Sequence, residues 1–449
     1  MDVIGTVSAN LQACLNEELD QLARDCQVVV RKRVFTGRTL LLMIVGTLLR
    51  KPDACWADFH RTAAQLGLDV SQTAVEHRFD AGQPLVDFFR TALERTLQKS
   101  VAAPPDTAAL FQRFNAVLLG DASTIPLPDE LADLFAGCGG SEGTSRAALK
   151  LQVLWDLKTG KLARLFVEPG KASDAKSPIT QAEIEAGNLL VFDLGYFDLD
   201  RLRAVDVAKA KFISRLQHGT EVFDNTGTSL NLLAHLRKQP TGLLDQAILL
   251  GVTARLCCRL VGVRVPQEVA NRRRQQAKQK AAKKGRMPTE QYLELLGWSL
   301  FVTNCSEEEL TWKVVVVLYR ARWQIELLFK LWKSHNRLAK HREGAVALEV
   351  LAVFYAKLLG VVLQHWILVA TAWRLPGRSL IHAARSVAEA IKEILLALGD
   401  NAVLQACLLR LRDVIEKIGG TTKRNNDPSH AQLIEDAELL DWLVRDTNA

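Results

Sequence analysis

Between residues 115 and 215, short apolar runs bounded by turn residues give way to runs that alternate with helical patterns, and few architectures accept that order. Val117-Leu118-Leu119 closes on Gly120-Asp121. Ala148–Asp156 and Leu162–Glu168 alternate in polarity on either side of Lys158-Thr159-Gly160, which predicts a hairpin. Pro178–Ala186 and Leu199–Ala210 have helical spacing, while Leu189–Phe192 and the run from Lys211 read as buried strands. Strands that first meander and then alternate with helices predict an α/β protein built on a mixed sheet.

The flanks differ. Residues 1–107 are helical by pattern, with apolar residues three and four apart at Leu11, Cys14, Leu15, Leu19 and Leu22 and again from Thr39 to Lys51. The connection Leu66-Gly67-Leu68-Asp69-Val70-Ser71 joins two short helices, which fits a DNA-docking helix-turn-helix or a plain bundle. Pro104-Pro105 marks a boundary. Residues 108–220 hold the sheet, 221–305 are β-rich with a basic stretch, 306–375 are helical, and 376–449 form a helical tail. The longest uncharged apolar run, Leu358–Trp373, is 16 residues long; a membrane span needs about 20, so a buried helix is expected and no membrane partner. The first residues show no cationic stretch ahead of an apolar one, so a reducing cytoplasm is the expected compartment.

Charge is concentrated. Between Val269 and Thr289 lie Arg272, Arg273, Arg274, Lys278, Lys280, Lys283, Lys284 and Arg286 with no acid among them. The chain's net charge is +7, so these eight account for all of the excess and the remainder is near neutral. The segment has no apolar stripe and reads as a solvated arm or a clamp on phosphates, the clamp being preferred. Arg215, after the strand from Lys211, is a further candidate contact.

On a helical wheel Tyr319, Arg322, Glu326, Lys330 and Lys333 share an arc of about 80°. Most of the rest is apolar, including Ile325, Leu327, Leu328 and Leu331. An embedded helix with so narrow a charged stripe predicts a cleft or a charged ligand, because isolated buried charges are costly. The alternative is a solvated face with Glu326 paired to Lys330. Asp121 and Asp193 each end a buried apolar strand, where a carboxylate is held rigidly or simply caps a turn. Taken together with Glu326 and the cations, they fit Mg²⁺ ions at a phosphodiester.

Tyr319-x2-Arg322-x3-Glu326-x6-Lys333 resembles the Y-R-E-K signature of a group of bacterial insertion-sequence transposases, of the DDE type with an RNase H-like core. Gly120-Asp121-Ala122-Ser123-Thr124 and Phe192-Asp193-Leu194-Gly195-Tyr196 resemble its first and second acidic blocks. That group often has Arg where this chain has Leu194, so no DNA contact carries over there. Asp193 and Glu326 are 133 residues apart, which leaves room for a β-rich insertion before the last acid.

The resemblance covers about residues 110–340. It implies an RNase H-like mixed sheet interrupted by the insertion, with a helical end-binding region before it and a helical region after it. It implies a cut-and-paste enzyme in which Asp121, Asp193 and Glu326 hold two Mg²⁺ ions, with Mn²⁺ as a substitute and no small-molecule cofactor. A hairpin at the transposon end would precede joining of the 3′-hydroxyl to target DNA. Tyr319, Arg322, Lys330 and Lys333 would grip phosphates near the cut, and Trp298 resembles the aromatic residue on which a flipped base stacks. The partners implied are double-stranded terminal repeats, target DNA and a second protomer, in a nucleoid-associated cytoplasmic setting. Two other readings remain open: an RNase H-like nuclease that does not join, and a silent transposase-derived DNA-binding regulator.

Overall fold

The computed structural model describes residues 2–30, 34–106, 108–139, 145–283, 285–375, 377, 379–418 and 430–439. The chain begins with helices α1 (Val3–Cys14), α2 (Glu18–Asp25), α3 (Gly37–Arg50), α4 (Trp56–Gln65), α5 (Gln72–Glu76) and α6 (Gln83–Leu97). Asp2, Thr36 and Ser71 open α1, α3 and α5 by accepting hydrogen bonds from otherwise unpaired first-turn N–H groups. The expected helix pair around Ser71 is present as α4 and α5, but α5 is only five residues and docks by Val75. Trp56, Phe59 and Phe79 stack beside it.

The middle of the chain runs β1 (Val117–Leu127), β2 (Ala147–Asp156), β3 (Leu162–Pro169), β4 (Leu189–Phe192), α7 (Leu199–Val207), β5 (Lys211–Arg215), β6 (Val222–Phe223) and α8 (Leu232–Arg237). It continues through β7 (Leu243–Leu250), β8 (Leu256–Arg264), α9 (Gln267–Ala282), α10 (Glu290–Leu295) and β9 (Trp298–Thr303). All nine strands form one sheet in the order β3-β2-β1-β4-β5-β9-β8-β7-β6. β1, β4 and β5 are mutually parallel, and every other pairing is antiparallel. The β-rich segment is therefore no separate layer. β9 pairs with β5, Ile213 opposite Thr303, and carries β8, β7 and β6 outward from the same sheet.

Both faces of the central strands are buried, as parallel strands require. Leu118, Leu190, Phe192 and Phe212 face α7, while Leu119, Val191, Ile213 and Phe301 belong to the core shared with the later helices. Those helices are α11 (Trp312–Ala321), α12 (Trp323–Lys330), α13 (Ala347–Thr371), α14 (Leu380–Ala397), α15 (Asn401–Ile418) and α16 (His430–Glu435). α13 is apolar on all sides, so it can only be stable enclosed. It packs against α1, α3, α6, α14 and α15, which gives the N-terminal and C-terminal helical regions one common core. Among the described residues it is the one helix long and apolar enough to cross a membrane, and most of it is buried inside the protein.

Two local expectations fail. Pro178–Ala186 is not a helix: only Pro178–Thr180 makes a 3₁₀ turn, and Glu183 at φ 57° cannot continue it. The segment's backbone is used elsewhere, with the Glu183 carbonyl accepting from Asn188 Nδ2. The helix drawn through 319–333 is broken at Arg322, between α11 and α12, and ends in a π turn over Leu331–His335. Neither proline nor glycine sits at the break; the feature there is the Arg322 side chain, bound to Asp121 on the sheet.

Arg259 on β8 donates from Nε and Nη2 to the two carboxylate oxygens of Asp245 on β7 and from Nη1 to the Leu310 carbonyl, tying the outer strands to the start of α11. Its side chain is 9% exposed and that of Asp245 is 16% exposed, so Arg259→Ala leaves a largely enclosed carboxylate without its cation. A loss of about 3 kcal/mol in unfolding free energy is expected by denaturant titration.

Candidate active site

Three elements bring three carboxylates to one point. Asp121 lies on β1 where the strand leaves the core, and Asp193 follows the last residue of β4. The parallel register sets Gly120 opposite Phe192, so the next residue on each strand is an acid and the two are neighbours. The Phe192 ring occupies the space where a Cβ on Gly120 would lie, 2.2 Å from ring atom Cε1. That explains why a glycine precedes Asp121. Glu326 reaches the same point from the first turn of α12.

Arg322 stands between them. Its Nη1 donates to Asp121 Oδ2 at 2.8 Å and its Nη2 to Glu326 Oε1 at 2.8 Å, while Nε lies 3.8 Å from Asp193 Oδ1. Nε is buried and donates to no acceptor. The Tyr319 hydroxyl donates to Asp193 Oδ1 at 3.4 Å. Burial raises the Asp121 carboxyl to about 6 against the pull of Arg322, and repulsion from Asp193 and Glu326 adds to the rise. Burial, reinforced by Asp193, pushes the Tyr319 phenol up to about 12, so it is a neutral donor at physiological pH. For Arg322 the surrounding carboxylates outweigh burial and raise its pKa further.

Lys333, in the π turn, donates to the Thr124 carbonyl of β1 at 3.0 Å. This fixes the end of the helix to the strand that carries Asp121. Lys330 and Trp323 are exposed, Trp323 by 59%. The sequence suggests a core or wall position for Trp323; the structure turns its indole outward beside Arg322 and Glu326. Hard carboxylate oxygens are the donors Mg²⁺ takes, and all three now face a single cation. Among the described residues no three His, Cys, Asp or Glu side chains are grouped to hold a metal ion, and here the Arg322 guanidinium lies between the acids.

The family described as "Transposase DDE domain" matches residues 112–359, which run from before β1 to about the middle of α13 and contain all three acids. The chain belongs to the DDE transposase family. The transposase for insertion sequence element IS231E of Bacillus thuringiensis subsp. finitimus is 28% identical over 339 residues, 70% of each chain. That of IS1151 of Clostridium perfringens is 24% identical over 385 residues, 77% of each. The putative transposase InsL of IS186A from Escherichia coli (strain K12) is 25% identical over 333 residues, 71% of this chain and 82% of that one. Transposases act on DNA, and the DDE domain generally implies the use of divalent metal.

Beside the acids of this transposase opens a cavity of about 460 Å³, walled by Leu194, Arg215, His218, Tyr292, Trp298 and Leu300 among others. Trp298 is 6% exposed and one face of its ring lies under the Arg264 guanidinium, so it contributes wall and not a free stacking face. The His218 and Tyr292 rings, edge to face with centroids 4.6 Å apart, are aromatic surface there that the sequence did not mark. Arg215 lies over the Phe301 ring, which in turn packs on Tyr319.

The basic segment is largely α9. Its cations are not equivalent: Arg273 donates to the Trp298 carbonyl and Ser299 Oγ, and Arg274 to the Leu293 carbonyl, so both anchor the helix to the protein. Burial and the neighbouring Arg215 lower the Arg273 pKa. Arg272, Lys278, Lys280, Lys283 and Arg286 are exposed. Lys284 lies outside the described residues.

Proposed function

We propose that this transposase cuts DNA at the ends of its element and joins the freed 3′-hydroxyls to a target, with Asp121, Asp193 and Glu326 as the catalytic acids. The observation that carries this reading is their convergence on one guanidinium from positions up to 205 residues apart in sequence. Two Mg²⁺ ions, or Mn²⁺ in their place, would supply activation of the attacking oxygen and neutralisation of the leaving one. The protein's own residues do the positioning. Tyr319 orients Asp193 through its hydroxyl, Lys333 holds the helix end to β1, and Arg322, Lys330 and the exposed Trp323 meet the phosphates and bases at the cut.

In a hairpin route a base would be extruded into the cavity between Leu194 and Trp298, since an unpaired base relieves the strain of a tight DNA turn. His218 and Tyr292 give that cavity its aromatic lining, and Arg215 with the outer cations of α9 accounts for the adjoining phosphates. Residues 1–107 would bind the terminal repeat. Acting on two ends calls for a homodimer on DNA, and the enzyme would work in the bacterial cytoplasm where that DNA lies.

A pH dependence follows. The folded carboxyl of Asp121 is raised to about 6, against 3.8 for an ordinary Asp. The folded chain therefore holds this proton to higher pH than the unfolded one, a contribution to stability present below about 4 and lost as pH rises through about 6. Metal and proton compete for the same oxygens. At low Mg²⁺ the cleavage rate is expected to fall as pH drops below about 6. Raising Mg²⁺ should shift that midpoint to lower pH, and rate profiles at two Mg²⁺ concentrations check it. A midpoint independent of Mg²⁺ would count against Asp121 as a ligand.

A further inference from the structure

Arg322 is among the least ordinary side chains in the molecule. It contacts all three acids at once, at 2.8 Å from Asp121 and Glu326 and 3.8 Å from Asp193, and it is 15% exposed. Three carboxylates around one guanidinium leave the cluster two negative charges in excess, so the arrangement holds the acids together without neutralising them. Its buried Nε has no acceptor. A guanidinium keeps its proton at any physiological pH, so it can yield to another cation only by moving.

The oxygens it binds, Asp121 Oδ2 and Glu326 Oε1, belong to the carboxylates that would hold a divalent ion, and a second cation at contact distance would meet strong repulsion from the guanidinium. The means to move are local. Arg322 is the junction residue between α11 and α12, outside the body of either helix, and its N–H makes a 3₁₀-type bond to the Tyr319 carbonyl. A DNA phosphate in the cleft offers the same two-oxygen fork that a carboxylate does.

We propose that Arg322 is the exchangeable occupant of the carboxylate cluster: it holds Asp121, Asp193 and Glu326 together until a DNA phosphate draws it out, so that DNA engagement and divalent-cation loading are coupled. This rests on the reading of the three acids as metal ligands. In the wild-type chain Arg322 then has two positions, one on the acids and one on the phosphate backbone. Loading of the cation is weak before DNA arrives. By linkage the coupling is reciprocal, and a divalent ion strengthens DNA binding through the same exchange.

The test is Mn²⁺ binding to the full-length protein, followed by the electron paramagnetic resonance signal of free Mn²⁺, with and without a duplex copied from the DNA flanking the gene. Arg322→Gln is expected to bind Mn²⁺ about tenfold or more tightly than wild type without DNA. The duplex should tighten Mn²⁺ binding in wild type far more than in Arg322→Gln. Lys330→Gln removes the same charge four residues past Glu326, at an exposed position, and should change Mn²⁺ binding much less. Adding Asp121→Asn to Arg322→Gln should abolish the gained affinity.

If Arg322→Gln binds Mn²⁺ no more tightly than wild type while Asp121→Asn weakens binding, the exchange is wrong and the metal reading stands. Equal gains from Arg322→Gln and Lys330→Gln would reduce the effect to general charge and overturn the exchange as well. Mn²⁺ binding indifferent to Asp121→Asn in both backgrounds would overturn the metal reading itself.

Discussion

Glu326→Gln and Asp121→Asn are each expected to lower the rate of DNA cleavage by roughly a thousandfold, and the double variant to lower it no further. The reason is geometric. Both side chains meet the same guanidinium, at 2.8 Å each, from a strand and a helix that share no other function at that point. Ligands of one centre act as a unit, and removing the second after the first has little left to remove. Each substitution keeps the size of the side chain, and both residues sit at the margin of the core, so the fold is expected to persist. Binding of duplex DNA without divalent metal should be unchanged or stronger, because one negative charge near the phosphates is gone. Single-turnover cleavage rates for the wild type, both single variants and the double variant check this. Multiplying effects would place the two acids in separate roles.

Replacing Arg272, Lys278, Lys280, Lys283 and Arg286 together by Gln is expected to flatten the salt dependence of DNA binding. Each cation that meets a phosphate contributes about 0.9 to the slope of log K against log salt, so a reduction of about 4 is expected if nearly all five do so. At moderate salt that amounts to a fall in affinity of about a hundredfold or more. These five are exposed, whereas Arg273 and Arg274 are fastened to the Trp298 and Leu293 carbonyls and their neighbours. Replacing those two should instead loosen α9 from β9 and lower thermal stability, with a small change in slope. Fluorescence anisotropy of a labelled duplex across a salt series separates the two sets.

Where the deciding physics was local, the sequence carried it. The hairpin of β2 and β3 follows from alternation around Gly160, whose φ of 74° suits glycine, and the strand before Asp193 follows from four apolar residues in a row. The acids stood out because they end such runs. Long-range pairing was not legible. Nothing in the β-rich segment's composition says that β9 joins β5, some 90 residues away, and extends the sheet instead of founding another.

The wheel places Arg322 on the charged stripe and the motif resemblance implies a phosphate contact for it, but only the folded sheet shows three acids around it. Trp323 was only partly legible: the same wheel puts it about 20° from Lys330, beside the stripe, and an indole next to apolar residues suggests a core position or a wall of the site. Its 59% exposure corrects that. The eight cations of the basic segment look alike in a list of residues and differ in space, because two of them face carbonyls left free by β9 and α10.

The measurement that bears most directly on the central reading is cleavage of the DNA that flanks this protein's own gene, with purified protein and Mg²⁺, resolved on a denaturing gel for wild type and Glu326→Gln. The expected result is a cut at a repeat boundary in the wild-type lane only, with a slow-migrating strand if the end closes as a hairpin. Binding of that DNA with no cleavage in Mg²⁺ or Mn²⁺, or cleavage that survives Glu326→Gln, would contradict the assignment of Asp121, Asp193 and Glu326 as the catalytic acids.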